Sequence, residues 1–419
     1  MKIKDALVMA AGAGTRLKPI TNTRPKSMIK LAGKPILHHL LLVLEQVGIE
    51  RAYIVVKYKQ EVIRKYFQQP DLDLKIKLEF IEQKDKYGTA AAVLEAEDKI
   101  SSSFLAIAGD IVTTKQTISQ LIKEHEGQMT LVVRKEEHPE NYGFAILKNG
   151  YVEKFEEKPT IIPNESYVNC SIYAFEPEIF SKLKNIKKSA RGEYEITDLF
   201  VSQKAKAVIS SDYWLDMGLP WQLFDANKYL LANLPPSNLG QIENSKIKGK
   251  IILEKGAKII DSYIEGNVYI GKNTTVGPHS YIKGDSSIGD NCSIGDSTTI
   301  KNSIIFDNVN AKHLTYIGDS IVGDNCNFGA GTQIANFRFD KGKVKAKVNE
   351  VTIDTNRVKL GAIIGDDVKT GVLSSIMPGK MIGNNSWIGA GVIIKENIEP
   401  NTHVELEQKL KFSKLGGVN

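Results

Sequence analysis

The chain is poor in cysteine, with three in 419 residues: Cys170, Cys292 and Cys326, odd in number and far apart. That usage argues against a disulfide framework and against the paired spacings of a zinc cluster, and it points to a reducing, cytoplasmic setting. Long apolar runs are missing too. No stretch approaches the roughly 18 residues that a bilayer span needs, and no signal-peptide core precedes the first apolar strand; the expectation is a soluble protein with no membrane partner. No run of five like charges interrupts the chain. The 55 Lys and Arg against 49 Asp and Glu leave a formal +6, a bias that suits phosphorylated small molecules and is too diffuse for a nucleic-acid groove. At 42% hydrophobic the length can bury two cores, and the expected division is residues 1–235 and 236–419.

What is present begins with the run Leu7 to Leu17, LVMAAGAGTRL, followed by Arg24, Pro25 and Lys26. An apolar strand enters small residues and two glycines, so backbone N–H groups can close around an anion, with Arg16 and Lys26 supplying positive charge. A dinucleotide loop would need a third glycine where Leu17 stands, and a long helix where Pro19 and Pro25 stand. A plain strand and turn with incidental basic residues stays open at this point. Strands at 6–9, 51–56, 76–82 and 104–108 alternate with helices at 35–46, 60–67 and 89–97, predicting a parallel sheet covered on both faces. Asp110, just past the end of the 104–108 strand, should share a crevice with the glycine loop, since ligands sit beyond the carboxyl ends of such strands. As a Mg²⁺ ligand it would need phosphate oxygens to complete the shell; as a bare cap it would simply be solvated.

The second half follows another period. Ile264, Ile270, Val276, Ile282, Ile288, Ile294, Ile300 and Phe306 stand six apart, and the pattern resumes at Ile317 and Ile321. A basic insertion, Asp340 to Lys359, interrupts it before it returns at Ile364, Ile376, Ile382, Ile388 and Ile394. Six residues per rung and three rungs per coil predict a parallel β-helix of triangular section, whose flat faces favour a homotrimer. Such a rod could serve assembly alone or hold a site at a seam. His313 breaks the hexads, and Asn327, Gly329, Ala330, Gly331, Thr332 and Asn336 follow within one to two coils. A neutral imidazole can take the proton of an attacking amine, which acyl transfer requires together with a donor for the carbonyl oxygen.

These motifs resemble two families in succession. Gly12 to Leu17, Arg24-Pro25-Lys26, Gln83 with Gly88-Thr89-Ala90, Gly109-Asp110, Tyr142-Gly143, Glu156 to Pro159, Asn169 and Trp214 to Gly218 occur in the order of the sugar-phosphate nucleotidylyltransferases. The resemblance implies an α/β nucleotidyltransferase fold with a Rossmann-like mixed sheet. It implies that Ala11, Gly12, Gly14, Thr15 and Arg16 hold the triphosphate of UTP or dTTP with Lys26, and that Gln83, Gly88 and Thr89 read the base. Gly143, Glu157 and Asn169 would hold the sugar phosphate, and Asp110 and Asp216 would bind Mg²⁺.

The second half, through His313 to Asp319 and Asn327 to Thr332 followed by Asn336, resembles the acetyltransferase domain of bifunctional glucosamine-1-phosphate acetyltransferase/N-acetylglucosamine-1-phosphate uridylyltransferases, a left-handed β-helix of hexapeptide repeats. By that resemblance His313 is the general base, Asn336 assists at the reacting centre, Lys301, Tyr316 and Asn327 contact the amino-sugar phosphate, and Ala330 contacts acetyl-CoA. Thr299, Phe337 and the insertion depart from the bacterial pattern and resemble the archaeal form. A single-activity thymidylyl- or guanylyltransferase with a purely structural β-helix is the competing expectation.

Overall fold

The computed structural model describes residues 3–136, 142–157, 166–189 and 192–413. It divides into two compact units, one of residues 1–17 and 23–222, the other of 18–22 and 223–419.

The first unit is built on strands β1 (Asp5–Met9), β2 (Arg51–Val56), β3 (Lys77–Glu82), β4 (Phe104–Ala108), β5 (Met129–Arg134), β6 (Gly143–Lys148), β7 (Tyr151–Glu157), β8 (Ser166–Phe175) and β9 (Lys206–Ile209). Their order across the sheet is β3-β2-β1-β4-β8-β5-β9-β7-β6. The four strands of the first 108 residues pair in parallel, as their alternation with helices predicts. Beyond β4 the sheet is mixed, because β8 runs antiparallel to β4, β5 and β6. Period-two alternation sends Leu7, Tyr53, Val55, Phe104 and Ala106 to one core and Ala6, Val8, Ala52, Ile54, Leu105 and Ile107 to the other. The helix Ile36–Gln46 covers the second core with Leu37, Leu40, Leu41 and Leu44, while Thr89–Leu94 covers the first with Ala90, Ala92 and Val93.

The second unit is a left-handed parallel β-helix of hexapeptide repeats. Ile264, Ile270, Val276, Ile282, Ile288, Ile294 and Ile300 are buried and stack inside it. Registers then show that the period changes. Ile264, Ile282 and Ile300 stack at 18-residue intervals, but the next partners, Ile317 and Ile334, come after 17. The inward slot expected for Phe306 is therefore filled by Ile305, above Ile288, and the one expected for Ile321 by Val322. Both displaced residues are still buried, outside the central stack. The basic insertion includes an antiparallel hairpin, Lys345–Val348 with Val351–Asp354, after which Ile364 stacks on Val322. At roughly 1.5–3 kcal/mol per fully buried aliphatic, the column is the main apolar contribution to this unit.

Cys170, Cys292 and Cys326 are buried free thiols. Burial pushes the Cys292 thiol up to about 12.

Candidate active sites

The loop after β1 turns at Gly14, whose φ of +62° favours glycine. It closes with Leu17 N–H donating to Gly14 O at 2.9 Å. A Cβ on Gly12 would meet nothing within 4 Å, so this backbone is open to a ligand. It borders a cavity of about 340 Å³ lined by Gly12, Gly14, Thr15, Arg16, Lys26 and Asp110 among others. A Cβ on Gly218 would stand 3.2 Å from Arg16 Nη2, so its absence lets the guanidinium lie against the chain. Ser27 also lines the cavity; its buried Oγ has no hydrogen-bond partner among the described residues.

A short antiparallel ladder, Ile111–Thr113 with Trp214–Asp216, places Asp216 opposite Ile111 and thus beside Asp110. The Lys26 ammonium lies between the two carboxylates, 2.8 Å from Asp110 and 2.6 Å from Asp216. Burial would lower the Lys26 pKa, but the charges of Asp110 and then Asp216 outweigh it and hold the amine well above its ordinary range. Trp214 fixes the ladder by donating to Cys170 O at 2.9 Å. Among the described residues no group of three or more His, Cys, Asp or Glu could hold a metal alone. Two carboxylates converging on one cation, next to a cavity able to take phosphates, do fit the Mg²⁺ donor set.

Of the remaining candidates of this unit, Ala11, Gln83, Gly88, Thr89, Gly143 and Asn169 lie outside the cavity lining. Ala11 is packed in the first core. Gln83 donates through Nε2 to Lys86 O and Gly88 O at 3.1 and 3.4 Å, and Thr89 Oγ1 accepts from Ile196 N–H at 3.0 Å. These bonds shape the 83–89 loop against residues 194–196. Gly143 starts β6 opposite Glu157, the last residue of β7, whose side chain lies outside the described residues, as do Lys158 and Pro159. Asn169 of β8 lies one residue beyond the Val168–Phe144 pair and opposite Val133 of β5, and its Nδ2 donates to the Tyr173 hydroxyl at 2.8 Å.

In the β-helix, His313 lies at the corner joining Asn310–Ala311 to Tyr316–Gly318. Its Nδ1 is 3.8 Å from Asp296 Oδ2. On the following face Asn336 Nδ2 donates to the Tyr316 hydroxyl at 3.2 Å and to Asp319 Oδ2 at 2.5 Å. Burial raises the Tyr316 pKa, and Asp319 adds to it. Lys301 is lowered by burial and then by Lys359, with Lys283 adding to the effect and Asp319 opposing it. Asn327 is exposed on the preceding face, and Ala330 occupies the corner one coil above His313, where Gly331 N–H donates to His313 O at 3.0 Å.

Comparison with known proteins agrees with this two-part layout. The family "Nucleotidyl transferase" matches residues 5–233, "GMPPB C-terminal domain" matches 264–374, and "Hexapeptide repeat of succinyl-transferase" matches 361–396. A "Bifunctional protein GlmU" from Methanocaldococcus jannaschii is 41% identical, with 98% of this chain and 100% of the relative covered. The chain belongs to the bifunctional nucleotidyl transferase family. It is an enzyme, a nucleotidyltransferase with an N-acetyltransferase domain of hexapeptide repeats. A "Bifunctional sugar-1-phosphate nucleotidylyltransferase/acetyltransferase" from Sulfurisphaera tokodaii is 38% identical over 94% of this chain and 98% of its own. A more distant similarity, 26% over 62% of this chain and 74% of the relative, is to a "Probable mannose-1-phosphate guanylyltransferase 3" from Oryza sativa. No helix among the described residues is long and apolar enough to cross a membrane.

Several residues that border the candidate sites escape a reading of the sequence. Lys283 and Asp296 precede Lys301 and His313 by one coil, 18 and 17 residues, and that period could have found them. Lys359 ends the insertion, where no periodicity predicts its return beside Lys301. Tyr87 and Glu193 line the first cavity from loops far from the glycine run.

Proposed function

We propose that the chain makes a nucleotide sugar in two steps, residues 236–419 acetylating and residues 1–235 transferring the nucleotide. The acceptor is glucosamine 1-phosphate or galactosamine 1-phosphate, acetylated from acetyl-CoA. The acetylated sugar phosphate then takes UMP from UTP, or dTMP from dTTP, releasing pyrophosphate. The observation that carries the reading is the convergence of Asp110 and Asp216 on Lys26 at the glycine-loop cavity, in a chain whose other half sets His313 beside a Tyr316–Asn336–Asp319 cluster.

In nucleotidyl transfer a sugar-phosphate oxygen attacks the α-phosphorus in line and the bond to pyrophosphate breaks. Loop amides of Gly12 to Thr15 and the charges of Arg16 and Lys26 offset the repulsion of two anions and the charge on the leaving group. Asp110 and Asp216 would hold Mg²⁺, which when bound would add to that charge neutralisation. Gln83, Gly88 and Thr89 shape the base side, and Gly143, Glu157 and Asn169 the sugar side. In acetyl transfer the amine attacks the thioester carbonyl, His313 takes its proton, and the thiolate leaves. Lys283, Lys301 and Lys359 receive the sugar phosphate with Tyr316 and Asn327, Asn336 assists at the reacting centre, and Ala330 borders the acetyl-CoA path. The β-helix assembles as a trimer, and buried free thiols accord with a cytoplasmic setting.

Acetyl-CoA consumption with each amino-sugar phosphate, followed by pyrophosphate release with UTP and dTTP, tests this directly. The match of residues 264–374 to a C-terminal domain named for GMPPB favours one alternative, a single guanylyl transfer. Pyrophosphate release with GTP and no acetyl transfer would establish it.

A further inference from the structure

Each coil of the β-helix turns this corner through a left-handed residue, Ser297 at φ +58° and Leu314 at +50°. Leu314 N–H donates to Asp296 O at 2.9 Å, so the backbone stacks one corner on the next in fixed register. Consequently Asp296 lies directly below His313, with its carboxylate toward Nδ1 at 3.8 Å. The corner above offers only Ala330 and Gly331. The same corner one coil below Asp296 carries His279, and Lys312 precedes His313 in the chain. Asp296 is the only anion among the described residues within ion-pair distance of His313.

We infer that Asp296 is a positioning residue for acetyl transfer, keeping the proton of neutral His313 on Nδ1 so that the Nε2 lone pair faces the incoming amine. This rests on the reading of His313 as the base. Mounting carboxylate and imidazole on successive corners lets backbone stacking, rather than a long side chain, set their spacing. As the amine proton moves to Nε2, the carboxylate stabilises the imidazolium that forms. Thr299, on the adjacent face, has no charge to offer in its place.

In Asp296→Asn, kcat for acetyl transfer should fall about tenfold, because the imidazolium that forms as the amine proton is taken loses its anion. The KM for the amino-sugar phosphate and nucleotidyl transfer should stay unchanged, and Asp296→Glu should recover most of the rate. An unaltered kcat would overturn the inference. If Asp296→Asn fails to fold, long-range ¹H–¹⁵N spectra of the unmodified full chain decide: an Nδ1–H tautomer for His313 supports it and an Nε2–H tautomer overturns it. His313→Ala separates the two levels, since retained acetyl transfer there removes the base itself, whereas its loss beside an unaffected Asp296→Asn removes only the role of Asp296.

Discussion

Lys26 and Asp216 are separated by 190 residues in sequence and by 2.6 Å between ammonium and carboxylate. Two local decisions bring them together: a single turn after Pro25 points Lys26 inward, and the Trp214–Asp216 strand pairs with the residues that follow Asp110. The same pairing makes the charge cluster sensitive to either partner.

Asp110→Asn and Asp216→Asn should each lower nucleotidyl transfer by about 100-fold or more, in line with the loss of preorganised charge at a transferring phosphoryl group. Acetyl transfer should remain within a factor of about two. Pyrophosphate release measured across a magnesium titration checks the assignment, and a rate unchanged in both variants contradicts it.

Gly88 sits at φ +123°, and a Cβ there would come within 2.3 Å of Tyr194 O. Gly88→Ala should therefore cost several kcal/mol, on the order of 2–4 from backbone strain and displacement of the neighbouring segment. Nucleotidyl transfer should fall with it. Urea unfolding followed by a probe in the first unit reports the loss.

His39 is buried in the first unit, its Nε2 bonding to Leu31 O at 2.8 Å, and burial pushes its pKa down to about 4 from 6.5. The unfolded chain thus binds a proton that the folded chain does not between those values. Stability is fully retained above pH 6.5 and declines as pH falls toward 4, by about 1.4 kcal/mol per pH unit for this one group. His39→Gln should flatten the slope of unfolding free energy against pH in that window by about that amount. An unchanged slope would assign the acid sensitivity to other groups, His38 among them, whose burial also pushes it down to about 4.

Lys359→Ala should raise the KM for the amino-sugar phosphate about tenfold, with a smaller change in kcat, because it removes charge from the anion site and not from the proton path. It should also relieve part of the lowering of the Lys301 pKa, which burial causes first and Lys359 second. Initial rates at varied acceptor concentration check the split between KM and kcat.

Much of this arrangement is legible from the sequence because it depends on local rules. Short apolar runs that alternate with amphipathic helices locate β1, β2 and β4, and hexads locate the β-helix. Asp110 follows from its place at a strand end. The 17-residue coils are harder to read: Phe306 preserves a six-residue spacing while Ile305 fills the slot, and both are apolar, so only the pairing of Ile305 with Ile288 distinguishes them. The antiparallel course of β8 is hidden for another reason, since a strand's own pattern does not record its direction. Asp296 acquires its neighbour through stacking of coils, whereas Lys359 is brought back by the insertion, through an antiparallel bridge to Phe337. Composition holds no trace of either contact.

The central claim is that one chain holds two separable sites, and parallel assays of His313→Ala and Asp110→Asn for acetyl-CoA consumption and pyrophosphate release test it most directly. The account predicts that His313→Ala loses acetyl transfer and keeps nucleotidyl transfer, that Asp110→Asn does the reverse, and that mixing the two proteins restores conversion of the amino-sugar phosphate to nucleotide sugar. Equal loss of both activities in either variant would contradict it.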